Sequence, residues 1–129
     1  MGQPSPWRHE AAMPSEAVSV LRARRFVCAH LVEHRLWYLV DDVRLVVSEL
    51  AANAVLHAHS PFTVSLGQVD RAVVLSVQDG SPGAPVLLAP ELSDTAGRGV
   101  SIVDLVSDDW GVTHAPGGGK SVWASFSTR

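Results

Sequence analysis

The sequence predicts an α+β fold, a two-layer α/β sandwich whose mixed, mostly antiparallel sheet is covered on one face by helices. Three observations lead there. Apolar residues recur at helical spacing through the first part of the chain, alternate with a period of two from Phe62 onward, and alternate again towards the C-terminus. The chain has 129 residues, 47% of them apolar, which is enough for one hydrophobic core. It carries no internal repeat and no composition shift that would mark a second domain.

Residues 1–14, with Pro4, Pro6 and Pro14, read as a flexible N-terminal arm, and residues 15–129 as the domain. Ser15 and Glu16 open a first helix in which Val18, Leu21, Phe26, Val27, Leu31 and Val32 form the apolar side and Arg22, Arg24, Arg25 and His30 the wetter one. The pattern breaks around Trp37 and Tyr38. A second helix runs from Val40 or Asp41 to His57; it is apolar nearly all round, as in a helix buried against a sheet, and Ser60 and Pro61 end it. Phe62 to Val69 and Ala72 to Gln78 form a hairpin of β-branched, alternating strands with Asp70 and Arg71 at its turn. Gly80 to Gly99 is a long irregular stretch rich in Gly and Pro, of the kind that is usually functional inside a compact domain. A short helix over Val100 to Val106, a strand over Trp110 to His114, a Pro/Gly turn and a last strand over Ser121 to Ser127 complete the order. Trp37, Trp110 and Trp123 are expected to anchor the core or its margin, and Cys28 to be a small buried residue.

Composition excludes several function classes. A net charge of −3 gives no basic footprint for nucleic acid or an anionic membrane. A single cysteine excludes an internal disulfide and a multi-cysteine metal site. No apolar run is long enough to span a bilayer, and Met1 to Pro14 lacks the apolar core of a signal peptide, so a soluble, cytoplasmic protein is expected.

Glu49, Asn53 and His57 are spaced four apart, so on a helix they share one stripe. A carboxylate on so apolar a helix needs a partner, a metal or water. The stripe therefore fits either a structurally satisfied polar cluster or a metal and phosphate site, with Asn53 offering a hard oxygen to Mg²⁺. Asp79-Gly80-Ser81-Pro82-Gly83 directly follows a strand; it fits a plain turn, or an aspartate placed to accept from an exocyclic amine such as the adenine amino group. Gly97-Arg98-Gly99 precedes a short helix and fits helix punctuation or close approach to an anion. Gly117-Gly118-Gly119-Lys120-Ser121 is not a P-loop, because Thr113 stands where its first glycine belongs and a strand follows. Lys120 is the only lysine of the chain.

Taken in order, these segments resemble the histidine-kinase-like ATPase superfamily. Ser48 to Ala58 resembles its N box, Val77 to Pro82 its G1 box, Gly97 to Val103 its G2 box, and Trp110 to Trp123 its closing hairpin. Within it, the chain is most similar to the short stand-alone anti-sigma-factor serine/threonine kinases. The resemblance implies a Bergerat-type ATP-binding fold with ATP and Mg²⁺. It implies Glu49 as general base, Asn53 as Mg²⁺ ligand, Asp79 as partner of the adenine amine, and Gly97 and Gly99 under the phosphates. Ser81 would belong to the nucleotide pocket, and Ser121 would support adenine through water. The stretch Gly80 to Ala96 would form a lid, and Arg98 is the local cation available to a γ-phosphate. By the same resemblance the partners are a sigma factor or a small antagonist protein, with a homodimer as a further expectation. Two functions follow: phosphorylation of the antagonist protein, or a non-catalytic module whose protein binding is gated by ATP.

Overall fold

A computed structural model describes residues 5–81 and 101–129, and its organising element is a five-stranded sheet in the order β1-β2-β3-β5-β4. The strands are β1 (Trp7–Met13), β2 (Phe62–Val69), β3 (Ala72–Asp79), β4 (Asp109–His114) and β5 (Lys120–Ser127), and every described pairing is antiparallel. The helices are α1 (Val18–Glu33), α2 (Val40–Asn53) and the short α3 (Ile102–Val106). A 3₁₀ turn at Trp37–Leu39 leads into α2, and a π turn at Ala54–Ala58 extends it.

Period-two patterning decides which face of the sheet is covered. The register aligns Val64 with Val77 and Val122, and Leu66 with Leu75 and Ala124. All six are buried, and they point to the helical layer. The intervening positions, among them Thr63, Ser65, Ser76, Gln78, Ser121 and Ser125, turn to the uncovered face, where Ser65 and Ser76 hydrogen-bond side chain to side chain. Above the covered face, Val43, Val46, Val47, Leu50 and Ala51 of α2 meet Ala23, Val27 and Leu31 of α1, so the first two helices and the sheet share one core.

The chain differs from its sequence reading at the N-terminus. Trp7–Met13 lies within the expected arm, yet it forms an edge strand paired along its length with β2. Trp7, His9, Ala11 and Met13 alternate with the exposed Arg8, Glu10 and Ala12, a short half-buried strand pattern set between prolines. Arg8 and Glu10 form an exposed ion pair on its outer face. Three smaller differences concern the aromatic and sulfur residues. Trp37 is 62% exposed, at the corner where the chain turns between α1 and α2. Trp110 packs against the core margin as expected, whereas Trp123 is half-buried on the uncovered face, its ring so close over Gly111 that a Cβ there would lie 2.8 Å away. Cys28 is half-buried rather than enclosed. Among the described residues, no helix is long and apolar enough to cross a membrane.

Leu50 is only 2% exposed in the contact between α2 and the sheet, while Leu45 on the same helix is 44% exposed. Leu50→Ala should lower the free energy of unfolding by about 2–5 kcal/mol. Leu45→Ala should change it by less than about 0.5 kcal/mol. Urea denaturation of the two variants checks the contrast.

Candidate functional site

Polar groups inside this core are few and concentrated. The buried polar or charged residues described are Ser19, Glu49, Asn53, Ser65, Gln68, Asp79 and Lys120. Glu49 and Asn53 lie in the last turns of α2, Asp79 ends β3, and Lys120 begins β5. The ends of α2 and β3 are tied together, because the Gly80 N–H donates to Ser60 Oγ at 2.9 Å just beyond the π turn. Asp79 and Lys120 thus lie at the sheet end to which the chain leaving α2, the helix that carries Glu49 and Asn53, is tied.

The register explains why Asp79 faces inward. It continues the covered row of Val73, Leu75 and Val77, and it lies opposite Phe62 on one side and Lys120 on the other. A carboxylate in such a row must be satisfied, since an unpaired buried charge is strongly unfavourable. Lys120 Nζ lies 3.1 Å from Asp79 Oδ2 and 3.2 Å from Oδ1, with the two side chains 4% and 3% exposed. The Ser81 N–H adds a 2.8 Å hydrogen bond to Oδ1. The lone lysine of the chain is therefore the buried counter-ion of Asp79. Only the β3–β5 register, and not its rarity in the sequence, shows what it faces.

Ser121 lies one residue out of phase with this arrangement. It pairs with Gln78 and turns to the uncovered face, away from Asp79, so the residue of β5 that shares the site is Lys120. Ser81 is at the site, and its backbone N–H contacts Asp79. Gly119 has a definite reason for being glycine: a Cβ there would meet the Asp79 carbonyl oxygen at 2.6 Å. The start of β5 can approach the end of β3 only without a side chain at this position.

On α2, the Asn53 amide donates from Nδ2 to the Glu49 carbonyl at 3.0 Å. This bond sets the orientation of the amide plane. Glu49 and Asn53 share the stripe their spacing predicts, but His57 does not. The helix widens into a π turn from Ala54, which rotates the following residues off the stripe and leaves His57 exposed. His59, with φ of 51°, closes the turn in the left-handed region, and the Ser60 N–H reaches back to the Ala54 carbonyl. Gly97, Arg98, Gly99 and the expected lid beyond Ser81 lie outside the described residues.

A cleft of about 700 Å³ opens beside the strand ends, bordered by Met13, Phe62, Gln78, Asp79, Gly117 and Gly119 among others. Its size suits a small organic ligand. Glu49 and Asn53 do not border it.

Comparison with known proteins agrees with this fold. The profile of the histidine kinase-like ATPase domain matches residues 13–126, nearly the whole chain. Among solved structures, the crystal structure of the RsbU and RsbW domains of Rv1364c from Mycobacterium tuberculosis is similar, with a TM-score of 0.68 and 15% identity. The match covers 94% of this chain and 32% of that one, so the chain spans about a third of that structure's length. At this identity the likeness is one of fold. No curated protein matches the sequence.

The Asp79–Lys120 pair makes a measurable coupling. Lys120→Met strands a buried carboxylate and should destabilise the protein by about 3–5 kcal/mol. Adding Asp79→Asn should recover part of that loss, because the double variant carries no buried charge at the pair. A denaturation cycle over the four proteins measures the coupling, and strict additivity would show that the two groups do not interact.

Proposed function

The chain belongs to the histidine kinase-like ATPase domain family, and from that premise we propose that it is an ATP-binding regulatory protein that transfers phosphate from ATP to a serine or threonine of a small partner protein. The observation that carries the nucleotide reading is the inward-facing Asp79 at the end of β3, held between Lys120 and the Ser81 N–H next to an open cleft. A fixed carboxylate at the wall of a cleft is a specific acceptor for an exocyclic amino group, and it discriminates against a base that presents a carbonyl there. Lys120 acts as a positioning residue, restraining both carboxylate oxygens.

Phosphoryl transfer asks a protein chiefly for positioning and charge neutralisation. The donor set fits Mg²⁺. Asn53 offers a neutral amide oxygen whose orientation is set by the Nδ2 bond to Glu49, and such hard oxygen ligands suit this ion. When bound, Mg²⁺ would neutralise triphosphate charge. Glu49, one helical turn before Asn53, is the proposed general base for the acceptor hydroxyl. Gly97 and Gly99 are proposed beneath the phosphates and Arg98 as the cation near the γ-phosphate, as the sequence motif suggests.

A protein partner has a physical candidate surface. The groove of about 540 Å³ between α1 and α2 is lined by Arg24, Arg25, Arg44, Leu21 and Leu45 among others. Basic and half-exposed apolar groups side by side suit an acidic, partly apolar partner, such as a sigma factor or an antagonist protein.

Calorimetric titration with Mg²⁺-ATP tests the nucleotide reading. Saturable binding is expected, with a loss of at least about tenfold in affinity for Asp79→Asn and a preference for ATP over GTP. Absence of binding to the wild-type protein would overturn it. Glu49→Ala then separates catalysis from gating: ATP binding should persist while phosphate transfer to the partner falls by about 10²-fold or more. Unchanged transfer in that variant would remove Glu49 from the mechanism.

A further inference from the structure

A second group of chemically capable residues lies at the opposite end of β1 from Met13, on the seam between β1 and α1. His9 comes from β1, and His30 and Glu33 from the last turn of α1, with His34 capping it. Positions 30, 33 and 34 stand on one side of a helix by spacing alone. β1 brings His9 to the same place. His9 Nε2 is 2.9 Å from His34 Nε2, and His30 Nδ1 is 2.8 Å from Glu33 Oε1. Donor atoms of His9, His30 and Glu33 all lie within 4.8 Å of one another.

Aromatic packing holds the rings. His34 stacks flat on Trp7 with centroids 3.8 Å apart at 3°, and His9 stacks on His30 at 3.7 Å and 10°. Phe26 meets His30 edge-on at 4.8 Å. Trp7 is itself fixed by a hydrogen bond from Nε1 to Gln68 Oε1. The three imidazole rings are thus held by aromatic contacts, while the Glu33 carboxylate beside them is exposed.

We propose that His9, His30 and Glu33 form a binding site for a divalent transition-metal ion of the Zn²⁺ type, which staples the edge strand β1 to α1. Metal–nitrogen bonds of about 2.0–2.1 Å in a tetrahedral shell place neighbouring ligand atoms about 3.3–3.4 Å apart. The His30–Glu33 pair, at 2.8 Å, is within about half an ångström of that spacing. Binding one ion through both His9 and His30 turns their stacked rings apart, because the ion lies in the plane of each imidazole that holds it. Imidazole donors select Zn²⁺, Ni²⁺ or Cu²⁺ over Mg²⁺ and Ca²⁺, which separates this site from the Mg²⁺ chemistry proposed at Asn53.

The test is titration of Zn²⁺ into the chelator-treated full chain, read by calorimetry and by the melting temperature, with Mg²⁺ alone as the control cation. One equivalent of Zn²⁺ should bind and raise the melting temperature, while Mg²⁺ should not. Co²⁺ in place of Zn²⁺ should give the intense visible absorption of a four-coordinate site. His9→Ala and His30→Ala, on separate elements, should each weaken Zn²⁺ binding by at least about tenfold. A variant with His57, His59 and His114 all changed to Ala should bind as the wild type does. No Zn²⁺ binding at micromolar concentration, or binding unaffected by both His9→Ala and His30→Ala, would overturn the proposal. So would loss of binding in the triple variant alone. His30 is on a half-exposed helical surface, so the His30→Ala result stands even if β1 detaches in His9→Ala.

Discussion

The register of β2, β3 and β5 is the constraint on which the rest of the molecule depends. A strand's side chains alternate between faces, so sliding any one of the three by a single residue would move its apolar row to the uncovered side. The aligned rows Val64–Val77–Val122 and Leu66–Leu75–Ala124 supply the floor on which α2 rests. The same alignment, continued to the strand ends, sets Phe62, Asp79 and Lys120 side by side. Core and candidate site are consequences of one registration, and the bare Gly119 backbone against the Asp79 carbonyl shows how tightly the strand ends meet.

A buried ion pair is an expensive way to finish a sheet, because desolvation of both charges offsets much of their attraction. A similar volume of apolar side chain would serve stability as well. That the chain instead places its single lysine here, against a carboxylate already bonded by the Ser81 N–H, favours a role in which the carboxylate must be held in one orientation. On α2 the buried polar positions are Glu49 and Asn53, in its last turns. The π turn then ends the helix where Ser60 can tie it to Gly80. Such widened turns often accompany functional sites, and this one both redirects the chain and joins the two elements that carry the proposed ATP chemistry.

The edge strand β1 connects the two proposed sites. At one end Met13 borders the cleft beside Asp79; at the other Trp7 and His9 engage the ring cluster on α1. An edge strand has one neighbour only, and here the aromatic stacking of Trp7 and the histidines adds a second attachment through α1. Whatever strengthens that attachment also holds the strand that walls the cleft.

The sequence by itself determined the fold class, the α2 stripe of Glu49 and Asn53, and the strands from Phe62 to the C-terminus, because each rests on local periodicity with strong apolar contrast. The family boxes were legible for the same reason: they are contiguous segments in a definite order. What remained hidden was what distant residues do to one another. The alternation in Trp7–Met13 is short and flanked by prolines, and only pairing with β2 makes it a strand. His57 sits on the stripe by counting but leaves it through a π turn, whose wider winding no spacing rule anticipates. Ser121 and Lys120 are adjacent in sequence and on opposite faces in space, so only the tertiary register decided that the lysine, not the serine, meets Asp79. His9 lies far along the chain from His30 and Glu33, and contact between a strand and a helix is a property of their packing, which local patterning does not encode.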